Sequence, residues 1–230
     1  MKLATHLNYA SGFHKGVDDI VDMEKAGLDL VWVPEAYGFD SPSLTGFLAA
    51  RTSAVEIGAS ILPIFTRTPT LLAMIAAGID NLSEGRFHLG LGASGPQVIE
   101  SFHGVRYDNP LGRTREIVEI CRDVWLREAL LVHECKNYAL PLPRERGSGL
   151  GKALKIIARP FRPAIPIWIA ALGEKKRETN GRGRKRLDSV PLRTGLRQKG
   201  VWDRARRRSQ EARHLVGTLD GHRRRTVGYW

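Results

Sequence analysis

Short apolar segments that are typical of buried β-strands recur along the first part of this chain at a spacing of 27 to 30 residues. The first four begin near residues 3, 30, 57 and 87, and the segments between them have the period of amphipathic helices. Buried strands that alternate with single helices predict βα units and a parallel sheet. A fifth strand is predicted over residues 165–171, and no sixth is visible.

The helices between these strands carry recognisable start and stop signals. Ser41-Pro42 and Thr68-Pro69 each combine a capping side chain with a first-turn proline, and Gly27 is expected to end the first helix. Further helices are predicted over residues 96–103 and 113–125, followed by a small hairpin or extended excursion over 130–140.

Charge divides the chain at Gly173. Residues 1–173 carry 18 basic and 18 acidic side chains, whereas residues 174–230 carry 18 basic and 6 acidic ones, which is the whole of the net charge of +12. We therefore expect one domain over 1–173 and an Arg/Gly-rich basic tail over 174–230, mostly disordered because apolar residues are sparse in it.

The tail admits a second interpretation as a nucleic-acid-binding arm, since Arg/Gly clusters contact phosphates. Only Trp202, Tyr229 and Trp230 could stack on bases there, so no specific nucleic-acid partner is expected.

Several classes of protein are not expected from composition. No apolar run approaches the roughly 20 residues of a membrane helix, and no leader with a cleavage site opens the chain, so a cytoplasmic location without membrane contact is predicted. Cys121 and Cys135 lack metal-ligand spacing, and no metal site is expected.

Polar residues at the predicted strands are candidates for chemistry. Glu35 follows the second strand, where barrel enzymes place acids and bases, although a solvated loop acid would occupy the same position. His6 on the first strand is either an acid/base or a hydrogen-bonded core histidine. Ser60 in the third strand is either a ligand contact or a satisfied core hydroxyl.

Glycines at the ends of two strands leave alternatives open. Gly90-Leu91-Gly92-Ala93-Ser94-Gly95 matches the dinucleotide pattern G-x-G-x-x-G, but it follows the fourth strand, so an NAD-binding Rossmann enzyme stays a minor alternative. In a barrel the same glycines would let a ligand approach the backbone closely. Gly173 fits a phosphate cradle or an ordinary turn.

Several segments of residues 1–173 are unspecific one by one but form a specific pattern in combination. They are Thr66-Arg67-Thr68-Pro69 and the runs 82–92, 94–98, 110–116, 149–155 and 165–171. Jointly they resemble the bacterial luciferase-like monooxygenase superfamily, and most of all its actinobacterial branch of oxidoreductases that depend on the deazaflavin coenzyme F420.

The resemblance implies a (β/α)₈ TIM barrel, here incomplete, that binds a flavin or deazaflavin across its carboxyl-end mouth. It also implies a non-prolyl cis peptide after strand three and ring-edge residues after strand two, where Glu35 and Ala36 lie. Residues matching the cofactor-binding positions are Ala59, Ser60, Ile61, Ser94, Gly95, Gln97, Ala170, Ala171, Leu172 and Gly173.

The implied chemistry is hydride transfer between coenzyme F420 and a small organic substrate, with Glu35 as the expected proton donor or acceptor and His6 as a second candidate. The alternative is an FMN-dependent monooxygenase that uses O₂. Family members are often homo-oligomers.

The resemblance stops at Gly173, because the Asp-Gly-Trp of the family's strand-six region never follows. We hypothesise that the tail is an out-of-frame translation, and that this chain is weakly active because its outer strands lack partners. Translation of the other two frames past codon 174 tests the idea, which fails if neither restores Asp-Gly-Trp.

Overall fold

A computed structural model describes residues 2–9 and 12–170 of the chain. The strands and helices are β1 (Ala4–His6), α1 (Phe13–Lys25), β2 (Leu30–Val33), α2 (Ser41–Arg51), β3 (Glu56–Ala59), β4 (Leu62–Pro63), α3 (Pro69–Leu82), β5 (Phe87–Gly92), α4 (Pro96–Ser101), α5 (Pro110–Leu126), β6 (His133–Glu134), β7 (Ala139–Leu140) and β8 (Ile167–Ile169). Each predicted βα unit is present, and the α/β fold class is confirmed.

The main sheet is parallel throughout. β1 pairs with β2, β2 with β3, β3 with β5, and β5 with β8. The third strand, predicted as one run over residues 55–62, is instead two short pieces separated by a cis peptide bond between Ser60 and Ile61. β5 bridges the break, because it pairs with β3 near its start and with β4 near its end.

The two faces of this sheet differ in composition. Odd-numbered positions of β2, β3 and β5, such as Val31, Ile57 and Leu89, are fully buried apolar residues that pack in two clusters beneath the helices. On the opposite face the register aligns His6 with Trp32, Trp32 with Gly58, and Gly58 with His88. The first face supplies the hydrophobic core, and the second carries polar and aromatic groups.

Local signals set the helix boundaries, with one correction. Gly27, at φ +88°, ends α1 as predicted, and the Thr68 hydroxyl accepts a hydrogen bond from the Leu71 amide at the start of α3. For α2 the predicted cap, Ser41, is wrong by one residue. The Asp40 carboxylate accepts from the Ser43 amide, whereas the buried Ser41 hydroxyl donates to the Val33 carbonyl and ties α2 to β2.

The segment between α5 and β8 interrupts the alternation of parallel strands and helices. β6 and β7 form the predicted antiparallel hairpin, and the buried Glu116 carboxylate on α5 accepts hydrogen bonds from the amides of Asn137 and Tyr138. Near the end of this segment, Arg162 binds the Asp80 carboxylate on α3 and the Phe87 carbonyl on β5. This contact holds the chain in place as it enters β8.

The predicted basic tail, and with it the nucleic-acid interpretation, lies outside the described residues, as do Ala171, Leu172 and Gly173. Within the described ranges, every helix is too short or too polar to cross a lipid bilayer.

Candidate active site at the carboxyl edge of the sheet

The loops that follow the parallel strands all emerge at one edge of the sheet, because the strands run in the same direction. In barrels built from such units this carboxyl edge carries the active site. Most of the residues singled out from the sequence lie at this edge or in the loops beyond it.

A small apolar surface, which we call the floor, lies where β4, β5 and β8 end. Ile61 and Ala170 flank Gly92: a Cβ built on Gly92 would lie 2.9 Å from Ile61 Cδ1 and 3.3 Å from Ala170 Cβ. Ser60, Ile61 and Ala170 are each partly exposed. The cis peptide expected from the family resemblance is present at Ser60–Ile61, beside this surface.

The glycines of β5 have a packing role within the sheet. A Cβ on Gly90 would collide with the Ala59 carbonyl oxygen, and a Cβ on Gly92 would crowd Ile61. The space that each missing side chain leaves is therefore already occupied by protein atoms. Packing alone therefore requires glycine at both positions, and close approach of a ligand to the backbone there stays a prediction.

The loop after β5 brings three further predicted residues to the same edge. Ser94 has a positive φ of 56°, and its carbonyl accepts from the Tyr107 hydroxyl at 3.4 Å. Gly95 precedes α4, and Gln97 is exposed in its first turn. Their assignment to cofactor binding, like that of the floor residues, stays a prediction.

Glu35 is engaged in an ion pair. Its two carboxylate oxygens accept from Arg67 Nη1 and Nη2 at 2.7 and 2.9 Å, and the Ser41 amide donates to Oε2 at 2.7 Å. The side chains of Glu35 and Arg67 are only 8% and 12% exposed. Both oxygens are thus committed, and the arrangement ties the loop after β2 to the loop after β4 and to α2.

Proton transfer needs a carboxyl group that can exchange its proton with the reacting molecule. In this structure both Glu35 oxygens are instead bound by Arg67 and by the Ser41 amide, and the geometry favours a positioning role. Arg67 is the residue that sequence reasoning missed. Its signal was available, because it lies within the Thr66–Pro69 family segment just past the third strand.

His6 lies on β1, opposite Trp32, on the face of the sheet that carries polar groups. Burial lowers the pKa of His6 below its usual range, so the imidazole is neutral near pH 7. No hydrogen bond within residues 2–9 and 12–170 joins it to Glu35, and the two predicted catalytic residues do not form a pair.

A polar network fills the same face toward the amino ends of the strands. Trp168 Nε1 donates to His88 Nδ1 at 2.9 Å, His88 Nε2 lies 3.4 Å from Glu56, and Lys2 donates to both Glu56 oxygens. Because His88 Nδ1 accepts a hydrogen bond, the proton of the neutral ring is on Nε2. Burial lowers the pKa of His88, while Glu56 partly opposes this effect.

We expect the free energy of unfolding to decrease as pH falls below about 6.5, the ordinary pKa of histidine in an unfolded chain. The pKa values of His6 and His88 are lowered in the folded state. As pH falls, these histidines therefore bind protons in the unfolded state before they do so in the folded state, which favours unfolding. Urea unfolding at several values between pH 5 and 8 measures the slope of the free energy of unfolding against pH. His88→Gln should reduce the slope, whereas His14→Gln, at an exposed position on α1, should leave it unchanged; equal slopes in all three proteins would contradict this.

Among the described residues, no group of three or more His, Cys, Asp or Glu side chains could hold a metal ion. Cys121 is fully buried, and burial raises the pKa of its thiol to about 12. It is therefore a small apolar core residue, as its helical position predicts.

Comparison with known proteins identifies relatives with this architecture. A coenzyme F420-dependent oxidoreductase, by its name, of Mycobacterium tuberculosis is 43% identical over 177 residues, which are 76% of this chain and 51% of that protein. The structure of coenzyme F420-dependent tetrahydromethanopterin reductase from Methanopyrus kandleri superimposes with a TM-score of 0.64 at 20% identity, covering 78% of this chain and 53% of that one.

A second similar structure binds another cofactor. The FMN complex of the oxygenating constituent of 3,6-diketocamphane monooxygenase from Pseudomonas putida gives a TM-score of 0.58 at 21% identity, over 74% of this chain and 52% of that one. The fold is thus shared by enzymes that use either cofactor. The chain spans about half the length of the curated relatives it matches.

The luciferase-like monooxygenase family model matches residues 1–183, ten residues beyond the charge boundary at Gly173. That match covers most of the chain, and the parallel βα units and the Ser60–Ile61 cis peptide are in the places that the family resemblance implies. The chain belongs to the luciferase-like monooxygenase family.

Proposed function

We propose that this chain is part of an F420-dependent oxidoreductase that transfers hydride between the deazaflavin and a small organic substrate. The observation that carries the proposal is the floor, a contiguous apolar surface of Ile61, Gly92 and Ala170 at the carboxyl edge of the sheet. A planar, mostly apolar ring would fit against such a surface, because burial of apolar area is favourable.

The neighbouring residues fit the remaining needs of such a site. Ser60 precedes Ile61 of the floor, and Ser94 and Gln97 follow β5 at the same edge, so their polar groups could orient the polar edge of a ring. Glu35 and Arg67 hold the adjoining loop in place, and His6 is the candidate to donate or accept a proton. When bound, the deazaflavin would supply the carbon that gives or takes the hydride. The two unpaired cysteines fit a reducing, cytoplasmic location.

Relatives support coenzyme F420 over FMN. The Mycobacterium tuberculosis relative carries an F420-dependent name at 43% identity, whereas the FMN-bound neighbour shares only the fold. FMN-dependent oxygenation remains the second candidate, and cofactor preference separates the two. Saturable quenching of deazaflavin fluorescence by the full chain supports F420; preference for FMN, with consumption of O₂, would replace the proposal.

Ala170→Leu is expected to weaken deazaflavin binding at least about tenfold, because the larger side chain would protrude from the floor into the volume of the ring. The readout is the ratio of Kd values from fluorescence titration of the variant and the natural chain, which remains measurable at low affinity. Ala129→Leu, at an exposed position beyond α5, is the matched control and should leave Kd unchanged. Equal Kd values for Ala170→Leu and the natural chain would show that the ring does not lie on the floor.

A further inference from the structure

Four aromatic side chains, three of them exposed and one partly buried, lie in connections that leave the carboxyl edge of the sheet. Tyr9 follows β1, Tyr37 and Phe39 lie between β2 and α2, and Phe102 follows α4. Tyr37, Phe39 and Phe102 are 68%, 59% and 66% exposed. We call these four residues the aromatic rim. Large aromatic groups left exposed together at one edge of a molecule are typical of a binding surface.

Contacts between loops make the rim continuous. The rings of Tyr37 and Phe102 lie 6.2 Å apart and join the loop after β2 to the loop after α4. The rings of Tyr9 and Phe39 lie 5.8 Å apart and join the loops after β1 and β2. Gly38 lets the chain pass close to Tyr9, since a Cβ on it would be 3.3 Å from the Tyr9 hydroxyl. Three separate connections therefore contribute to one band.

The rim adjoins the candidate site through the chain itself. The loop that carries Tyr37 and Phe39 begins at Glu35, which Arg67 anchors beyond the third strand. Phe102 belongs to the connection that begins with Ser94 and Gly95 beside the floor. The loops that carry the rim therefore leave the same edge of the sheet as the floor.

The charged groups near the rim are few and of both signs. Glu35 and Arg67 neutralise one another, whereas the Asp40 carboxylate, which accepts from the Ser43 amide at the start of α2, keeps its negative charge. Arg106, four residues beyond Phe102, is exposed and forms no ion pair with any described residue. A phosphate or carboxylate substrate would ordinarily meet several cations or a bidentate arginine, and the rim residues supply neither.

We propose that the aromatic rim binds the body of the substrate, and that this substrate is a neutral, apolar alcohol or carbonyl compound rather than a sugar phosphate or another anion. The inference rests on the proposed function, because hydride exchange with a deazaflavin requires an oxidisable alcohol or a reducible group near the ring. Aromatic faces contribute to such binding by burial of apolar area and by stacking, without charge.

The test uses the full chain and two probes, cyclohexanol and glucose 6-phosphate, with binding read by ligand-observed saturation-transfer NMR. Phe39→Ala and Phe102→Ala should each weaken cyclohexanol binding at least about fivefold. Phe161→Ala is the matched control, since Phe161 is 55% exposed but packs beside Gly85 at the amino-end side of β5. It should leave cyclohexanol binding unchanged, and glucose 6-phosphate should show no saturable binding.

Deazaflavin titration of the same proteins separates the two proposals. If the rim variants keep the natural deazaflavin affinity but lose cyclohexanol, both proposals are supported. If the natural chain binds no deazaflavin but its cyclohexanol binding depends on the rim, the proposed function fails and the rim assignment stands. Cyclohexanol binding that is absent, or unaffected by both rim variants, overturns the rim assignment. Saturable glucose 6-phosphate binding that is lost in Arg106→Ala also overturns it, in favour of an anionic substrate.

Discussion

Arg162→Ala is expected to lower the free energy of unfolding by about 3 kcal/mol, because it leaves a buried carboxylate without its partner. Asp80 is 0% exposed, and Arg162 is 30% exposed. Arg162 Nη2 donates to Asp80 at 2.8 Å and to the Phe87 carbonyl at 2.7 Å, so its removal uncouples the segment before β8 from both α3 and β5. Urea unfolding followed by circular dichroism measures the loss.

The pH dependence of this variant identifies the cause. Burial raises the pKa of Asp80, and Arg162 opposes that effect in the natural chain. Without Arg162 the folded-state pKa lies further above the unfolded value, so the protonated form contributes stability at low pH that is lost as pH rises. The deficit of Arg162→Ala should therefore shrink from pH 7 toward pH 4, relative to the natural chain at each pH.

Two further variants complete the test. Asp80→Asn in the Arg162→Ala background removes the buried charge and should recover part of the stability at pH 7. Asp18→Ala breaks the exposed pair of Asp18 with Arg51 and should cost at most about 0.5 kcal/mol. A deficit in Arg162→Ala that is independent of pH would assign the loss to packing of the arginine stem instead of the unpaired carboxylate.

The parallel order of the strands was predictable because it depends on periodicity, which every residue of a strand reinforces. Val31, Ile57 and Leu89 each lie in a run of apolar residues, and the whole run indicates a buried strand. The Thr68 cap was predictable for a similar reason, since capping depends on residues within one turn. The Asp40 cap was missed by one position because Ser41 has the same chemistry but forms its hydrogen bond with β2.

The contacts of the candidate site depend on long-range geometry that no local pattern reports. The Ser60–Ile61 break was expected only through the family resemblance, since an apolar run over 55–62 gives no local sign of it. Arg67 and Glu35 are separated by 32 residues, and their pairing requires the sheet that brings β2 and β4 to one edge. For the same reason the sequence predicted Glu35 as a residue at the mouth but not what its carboxylate contacts.

If the proposed function holds, Arg67→Ala and Glu35→Gln should both reduce hydride transfer strongly, by about a hundredfold in kcat/KM, because each breaks the pair that positions the loop carrying Tyr37 and Phe39. A loss of about 3 kcal/mol in the free energy of unfolding should accompany Arg67→Ala, since Glu35 is then buried without a counter-ion. The two activity losses should be similar, and the double variant should be little worse than either single one.

The pH profile of kcat distinguishes this positioning role from proton transfer. If Glu35 exchanges a proton with the substrate, Glu35→Gln removes one limb of the profile, whereas Arg67→Ala keeps that limb. If the pair only positions the loop, both variants lower the whole profile without changing its shape. The matched control is Arg51→Ala, which removes an exposed arginine of α2 paired with Asp18, and which should change neither kcat nor the profile. Loss of a limb in Glu35→Gln alone would restore Glu35 as the proton donor or acceptor.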